Sequence, residues 1–197
     1  MIRKILIAGA ALLAMAVSAC TTIPSVPAGP FAVGGNQVTL DRQWSDVTIF
    51  SPGGRKSLKQ LSIDGPLLDN LYVSNGLAPG AYLLKPAKKE TPTPTVRAGM
   101  TPTEQVEFVT DNLSVLGYQR IEVASLKPGK TANGQQAIRA TITAKTKAGL
   151  DISVLAQMLQ VKDRLYLVMY VAPTEHYYGA SLKNAESVMD SMAPTGS

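Results

Sequence analysis

Two side chains of this 197-residue sequence stand out as able to do chemistry, because each is the only one of its type. Cys20 could act as a nucleophile, since the thiolate is the reactive form of cysteine. His176 could exchange protons, because an unperturbed imidazole titrates near neutral pH. Tyr177 and Tyr178 follow His176 directly and could line a ligand groove beside it.

Cys20 ends an N-terminal segment with the composition of a signal peptide. Arg3 and Lys4 give a positive start, and an uncharged run rich in Ile, Leu and Ala spans residues 5–19. This run is too short for a membrane-spanning helix, which needs roughly 20 apolar residues. A charged start, a short apolar stretch and small residues at its end are typical of secretion. We predict that residues 1–19 are removed by cleavage between Ala19 and Cys20.

The residues Val17-Ser18-Ala19-Cys20 resemble the lipobox of bacterial lipoproteins, which reads aliphatic, small, small, Cys. The resemblance implies that the Cys20 sulfur takes a diacylglycerol thioether and that Cys20 becomes an acylated N-terminus. Two or more acyl chains hold a protein stably on a membrane, at roughly 0.8 kcal/mol per buried methylene. Thr21 stands where an Asp tends to retain proteobacterial lipoproteins in the inner membrane, so the resemblance favours the periplasmic side of the outer membrane. The alternative is a plain secretory peptide with an incidental Cys20.

Residues 20–35 are interpreted as the lipidated cysteine and a flexible tether. Residues 21–35 hold three Pro, three Gly and no charge, a composition that does not build a helix. We therefore predict one globular domain over residues 36–193. Removal of the signal peptide lowers the formal charge from +5 to +3, and no dense basic cluster remains. Nucleic acid is therefore not an expected partner.

The first half of the predicted domain reads as strands. "QVTL", "WSDVTIF" and "KQLSIDG" are short β-type runs, while "LLDNLYVSNG" fits either a strand or a short helix. The Thr-Pro alternation of "ETPTPT", residues 90–95, favours extended geometry and predicts a surface loop between two halves.

The second half begins with a helix signal. Thr101, Pro102 and Glu104 form a capping box with proline at the first helical position. Four strand candidates follow over 119–172, the last of them apolar on both faces, and a closing helix comes after "YVAPTEHYY". Strands, helix, strands and helix in this order predict an α+β domain, an antiparallel sheet with flanking helices.

This element order resembles the Mog1/PsbP-like α/β/α sandwich. The matching features are the capped helix at 101–116, the meander at 119–172 and the terminal helix. Known members of that fold are binding and accessory proteins, so the resemblance implies such a role here. It carries no site residue over to this chain.

The other motifs favour plain roles. "ASLKPGKT", residues 124–131, lacks the first Gly of a P-loop and precedes an Asn133-Gly134 hairpin turn instead of a helix, so nucleotide binding is not predicted. A zinc site needs three or four convergent ligands, and the sequence predicts no metal and no cofactor. Glu104, Glu107 and Asp111 share one helix face, which is interpreted as solvated rather than as a calcium site.

These observations predict a non-catalytic binding or accessory module of the cell envelope, anchored by Cys20. Its expected partners are the membrane and an envelope protein, peptidoglycan or lipid. One alternative is a small hydrolase or transferase that uses His176, at the first turn of the closing helix, with Tyr177 and Tyr178. Another is a carrier for an apolar ligand held between sheet and helix.

Overall fold

The computed structural model of the chain describes residues 23–51, 57–85 and 92–195. Cys20 and the predicted signal peptide lie outside these residues. The helices are α1 (Pro102–Val115) and α2 (Gly179–Asp190). The strands are β1 (Ser25–Val26), β2 (Gly29–Val33), β3 (Asn36–Leu40), β4 (Trp44–Asp46), β5 (Leu58–Ser62), β6 (Asn70–Ser74), β7 (Gln119–Lys130), β8 (Gln136–Lys145), β9 (Asp151–Val161), β10 (Arg164–Pro173) and β11 (Ala193–Pro194).

The described strands form two antiparallel sheets. The large sheet has the order β1-β4-β5-β6-β10-β9-β8-β7, and the small sheet has the order β11-β3-β2. The last four strands of the large sheet are a meander, as predicted, and β6 joins the first half to it by pairing Val73 with Val168 of β10. The predicted α+β architecture, an antiparallel sheet with flanking helices, is confirmed.

Strand β10 is the centre of the core and is covered on both faces. Successive side chains of a strand point to opposite sides, so Leu167 and Met169 pack with α1 in one cluster. Tyr166 and Val168 pack with α2 and the small sheet in another. The prediction that this apolar strand is buried on both faces is therefore confirmed, and the sheet is the middle layer of three.

Helix α1 begins as its sequence predicts. The Glu104 N–H donates to Thr101 Oγ1 at 3.3 Å, and the Thr101 N–H donates to Glu104 Oε2 at 2.8 Å, so both halves of the capping box are present. Pro102 occupies the first helical position, where it loses no hydrogen bond. Val109 and Leu113 are completely buried and fix the helix on the sheet.

The prediction of a flexible tether over residues 20–35 is wrong from Ser25 onward. Ser25 pairs with Ser45 in the large sheet, and residues 29–33 pair with residues 36–40 in the small sheet. The prolines mislead because proline is tolerated on edge strands, and Pro30 lies on β2, the outer strand of the small sheet. Val33 is buried in the core. The folded part therefore begins well before Asn36.

In three further segments the structure gives more detail than the predicted secondary structure. In "WSDVTIF" only Trp44–Asp46 is a strand. Thr48–Phe50 forms a 3-10 helix, and the Thr48 N–H at its start donates to Asp46 Oδ1. "LLDNLYVSNG" contains a strand, β6. "ASLKPGKT" lies mostly on β7, and the predicted Asn133-Gly134 turn joins β7 to β8.

Candidate functional site

His176 lies before α2, in an irregular turn over Thr174–Tyr178, and not in the first turn of the helix as predicted. Its backbone has φ 68° and ψ −68°, a strained γ-turn geometry that a residue with a Cβ rarely adopts. The second half of this turn is held by hydrogen bonds to its carbonyls. Tyr170 Oη donates to the Tyr177 carbonyl at 2.9 Å, and the Gly179 N–H donates to the His176 carbonyl.

The tyrosines around this turn have packing roles in the structure. The Tyr170 and Tyr178 rings stack with their centroids 5.6 Å apart, and Tyr177 and Tyr178 pack against the α2 side of the core. Burial raises the pKa of Tyr170 and also that of Tyr178, with the Glu186 charge adding to the shift at Tyr178. Both phenols therefore stay protonated at neutral pH.

The His176 imidazole is exposed and contacts Tyr177 edge-on, with ring centroids 5.0 Å apart. An activated nucleophile needs a base within hydrogen-bond reach, and that base is usually oriented by a third group. Among the described residues, no hydrogen bond joins the His176 side chain to a hydroxyl or carboxylate. No three His, Cys, Asp or Glu side chains of the described ranges converge closely enough to hold a metal ion.

A groove on the other face of the molecule is the larger candidate site. It lies between the extended residues 92–97 and the outer face of α1, and we call it the α1 groove. It consists of two adjoining spaces of about 320 and 420 Å³ that share Pro94 and Asp111 in their walls. Phe108 lines the first space, and Val115 lines the second.

Strand β9 and its neighbours hold the far wall of this groove in place. Gln160, near the end of β9, donates from Nε2 to the Arg97 carbonyl at 2.7 Å and accepts from the Met100 N–H at 2.7 Å. The Val96 N–H donates to the Ala81 carbonyl at 2.9 Å, and Val96 is buried. Helix α1 is thus fixed by its buried face and the opposite wall is fixed at residues 96–100, so this part of the groove is formed without a partner.

The α1 groove is acidic in its first half. Arg97 pairs with Glu104 at 2.8 Å. Hydrogen bonds from the Thr101 N–H and hydroxyl lower the pKa of Glu104 and outweigh the opposing effect of desolvation, and the Arg97 charge lowers it further. Glu107 and Asp111 are exposed and form no ion pair within the described part of the chain. The groove therefore presents two uncompensated carboxylates.

The second half of the groove is more apolar than the first, although Asp111 also borders it. Pro92, Pro94 and Val115 line it, and Val115 is 40% exposed. The sequence predicts that Glu104, Glu107 and Asp111 share one solvated face of α1, but the structure adds a second wall opposite them. The sequence pattern that corresponds to this wall is "ETPTPT", whose extended residues 92–95 form it.

Comparisons with known proteins support the fold. No protein-family model matches the sequence, and no curated protein sequence matches it significantly. The crystal structure of the Saccharomyces cerevisiae Ran-binding protein Mog1p is similar over 89% of this chain and 97% of its own, with a TM-score of 0.50 at 8% identity. The solution structure of cyanobacterial PsbP (CyanoP) from Synechocystis covers 91% and 99%, with a TM-score of 0.53 at 14% identity.

The chain has the Mog1/PsbP-like fold. At these identities the likeness establishes the arrangement of strands and helices and assigns no site residue. On this Mog1/PsbP-like fold, the chain carries two candidate sites, the His176 turn beside α2 and the α1 groove on the opposite face of the sheet. None of the described helices is long and apolar enough to cross a bilayer.

Proposed function

We propose that the chain is a lipid-anchored, non-catalytic binding module of the cell envelope, and that its α1 groove holds an extended basic segment of a partner protein. The anchor is the lipidated Cys20, on the periplasmic side of the outer membrane. The observation that supports binding is the groove itself, which joins an acidic half to a more apolar half.

The charge and shape of the groove suit a peptide with Lys or Arg followed by apolar residues. Glu107 and Asp111 can pair with cationic side chains, while Pro94 and Val115 can contact aliphatic ones. Exposed ion pairs contribute only about 0–1 kcal/mol each, so binding relies on several contacts along the groove. Salt should weaken such binding, because exposed charges are screened.

Two features would allow weak individual contacts to hold the partner. The groove walls are fixed before the partner arrives, which avoids much of the cost of ordering side chains and loops. An anchor at Cys20 would confine the module to the same membrane as an envelope partner, which raises the effective concentration. The yeast structural neighbour is named a Ran-binding protein, which agrees with a binding role.

Site-specific crosslinking in cells tests this proposal. A photo-crosslinking residue replaces Ser114, which lines the α1 groove, or Ser187, which is exposed on α2 across the sheet. We expect a protein with a basic segment to be captured from position 114 and not from position 187. Equal capture at both positions, or none from position 114, would contradict the proposal.

One observation favours an alternative, a small hydrolase or transferase that uses His176. Strained backbone often marks functional sites, and His176 has such a backbone.

A further inference from the structure

Two large apolar side chains stand in solvent at one end of β4. Ile49 is 48% exposed and Phe50 is 55% exposed, both on the 3-10 helix that follows the strand. Exposed apolar residues that occur singly need no explanation, but a cluster marks an interaction site. The position of these two residues, close to the start of the described chain, indicates which surface they contact.

A third exposed apolar residue, Ile23, lies at the same end of β4. Strand β1 runs antiparallel to β4 with Ser25 opposite Ser45, and the Asp46 N–H donates to the Pro24 carbonyl at 2.8 Å. Moving back along the chain from Ser25 therefore leads toward the 3-10 helix. Ile23 is 39% exposed there. We call Ile23, Ile49 and Phe50 the apolar tip.

The distance from Cys20 to this tip is short. Ile23 is the third residue after Cys20, and an extended chain spans at most about 3.3–3.6 Å per residue, so the reach is roughly 10 Å. A lipid on Cys20 would therefore hold Ile23 next to the headgroups. Because Ile23 and the 3-10 helix lie at one end of β4, the same end of the domain would face the bilayer.

The charges beside the tip do not oppose this orientation. Asp46, at the end of β4, pairs with Lys59 at 2.7 Å, so its carboxylate is compensated. Burial disfavours the ionised form of Asp46, but the hydrogen bonds from Lys59 and Thr48 outweigh it and lower its pKa. The pair is neutral as a unit and adds no net repulsion from anionic lipid.

We propose that the apolar tip inserts Ile49 and Phe50 into the interface of the bilayer that anchors Cys20. This inference rests on the lipid anchor of the proposed function. Apolar side chains of interfacial segments lie ~5–10 Å deep, at the boundary of headgroups and acyl chains. The tip would fix the orientation of the domain, which a lipid on a flexible tether would leave free.

The test uses the full-length lipidated chain in vesicles of phosphatidylethanolamine and phosphatidylglycerol. Phe50→Cys and, separately, Ile49→Cys carry an environment-sensitive fluorophore on the introduced thiol. Leu67→Cys is the matched control, because Leu67 is 92% exposed and follows the far end of β5. We expect a blue shift at positions 50 and 49, quenching by nitroxide-labelled phospholipid, and neither effect at position 67.

Each other outcome is decisive. If the chain floats with the vesicles but positions 49 and 50 behave like position 67, the apolar tip does not meet lipid, and the anchor stands alone. A blue shift without quenching by nitroxide lipid would show that protein covers the tip, which also overturns the inference. A chain that carries no lipid on Cys20 and does not float would overturn the anchor and the inference with it.

Discussion

Ser25 pairs with Ser45 in antiparallel register at the edge of the large sheet. The chain therefore joins the folded structure five residues after Cys20, and the segment that follows, Gly29–Val33, is a strand of the small sheet. A lipid on Cys20 would place the domain against the membrane surface and not at the end of a long linker.

Truncation separates this arrangement from the predicted tether. A chain that begins at Asn36 loses β1 and β2 and with them the buried Val33, whose burial contributes about 1.5–3 kcal/mol. We expect its free energy of unfolding to fall by at least about 2 kcal/mol relative to a chain that begins at Ile23. Urea unfolding followed by the fluorescence of the buried Trp44 measures the difference. Equal stability would show that residues 23–35 do not contribute to the fold.

Glu104 should make the stability of the protein depend on pH. Its pKa is lowered from the ordinary value of 4.5 in the folded state, so its stabilising effect is present above the unfolded pKa and is lost as pH falls through the lower folded pKa. We expect Glu104→Gln to flatten the loss of stability on acidification below about pH 5. The control Glu107→Gln removes a charge from the same helix but leaves the capping box intact. Identical pH profiles for Glu104→Gln and the native chain would contradict the assignment.

Asp111→Asn should weaken partner binding in the α1 groove. Removing one exposed ion pair costs roughly 0.2–1 kcal/mol, which is about a 1.4-fold to fivefold loss of affinity. Titration calorimetry with the crosslinked partner's basic segment measures this loss, which should shrink as salt rises. Glu122→Gln removes an exposed charge from β7 and should leave the affinity unchanged. If both variants bind alike, the groove carboxylates do not contact the partner.

Replacing His176 distinguishes strain from catalysis. Glycine relieves a positive φ that alanine keeps, so His176→Gly should be more stable than His176→Ala by about 1 kcal/mol. A binding module should keep its cellular phenotype in both variants. If both variants fold yet lose the phenotype equally, the imidazole is needed and the hydrolase or transferase alternative gains support. Thermal unfolding and complementation of a deletion strain provide the two measurements.

The sequence predicts the second half of the fold well because its signals are local. The capping box at Thr101, the alternation along β8 and the turn at Asn133-Gly134 each depend on neighbouring residues, and each occurs as predicted. The strand β10 is predicted as doubly buried from its composition alone, and both of its faces are covered.

The misread parts depend on contacts distant in sequence. Residues 25–33 lack a strong strand pattern and become strands because β4 and β3 offer them edges to pair with. The second wall of the α1 groove depends on Gln160, more than sixty residues after the Thr-Pro segment. The sequence predicts His176 in the first turn of a helix, because the apolar period of α2 gives no sign of the kink before it.

Lipid attachment at Cys20 is the claim on which the envelope role depends. Tandem mass spectrometry of the N-terminal peptide, taken from the full chain expressed in a Gram-negative host, tests it most directly. We predict a mature chain that starts at Cys20 and carries a diacylglycerol thioether and an N-linked acyl group. An unmodified Cys20, or a mature chain that starts at another residue, would contradict the account.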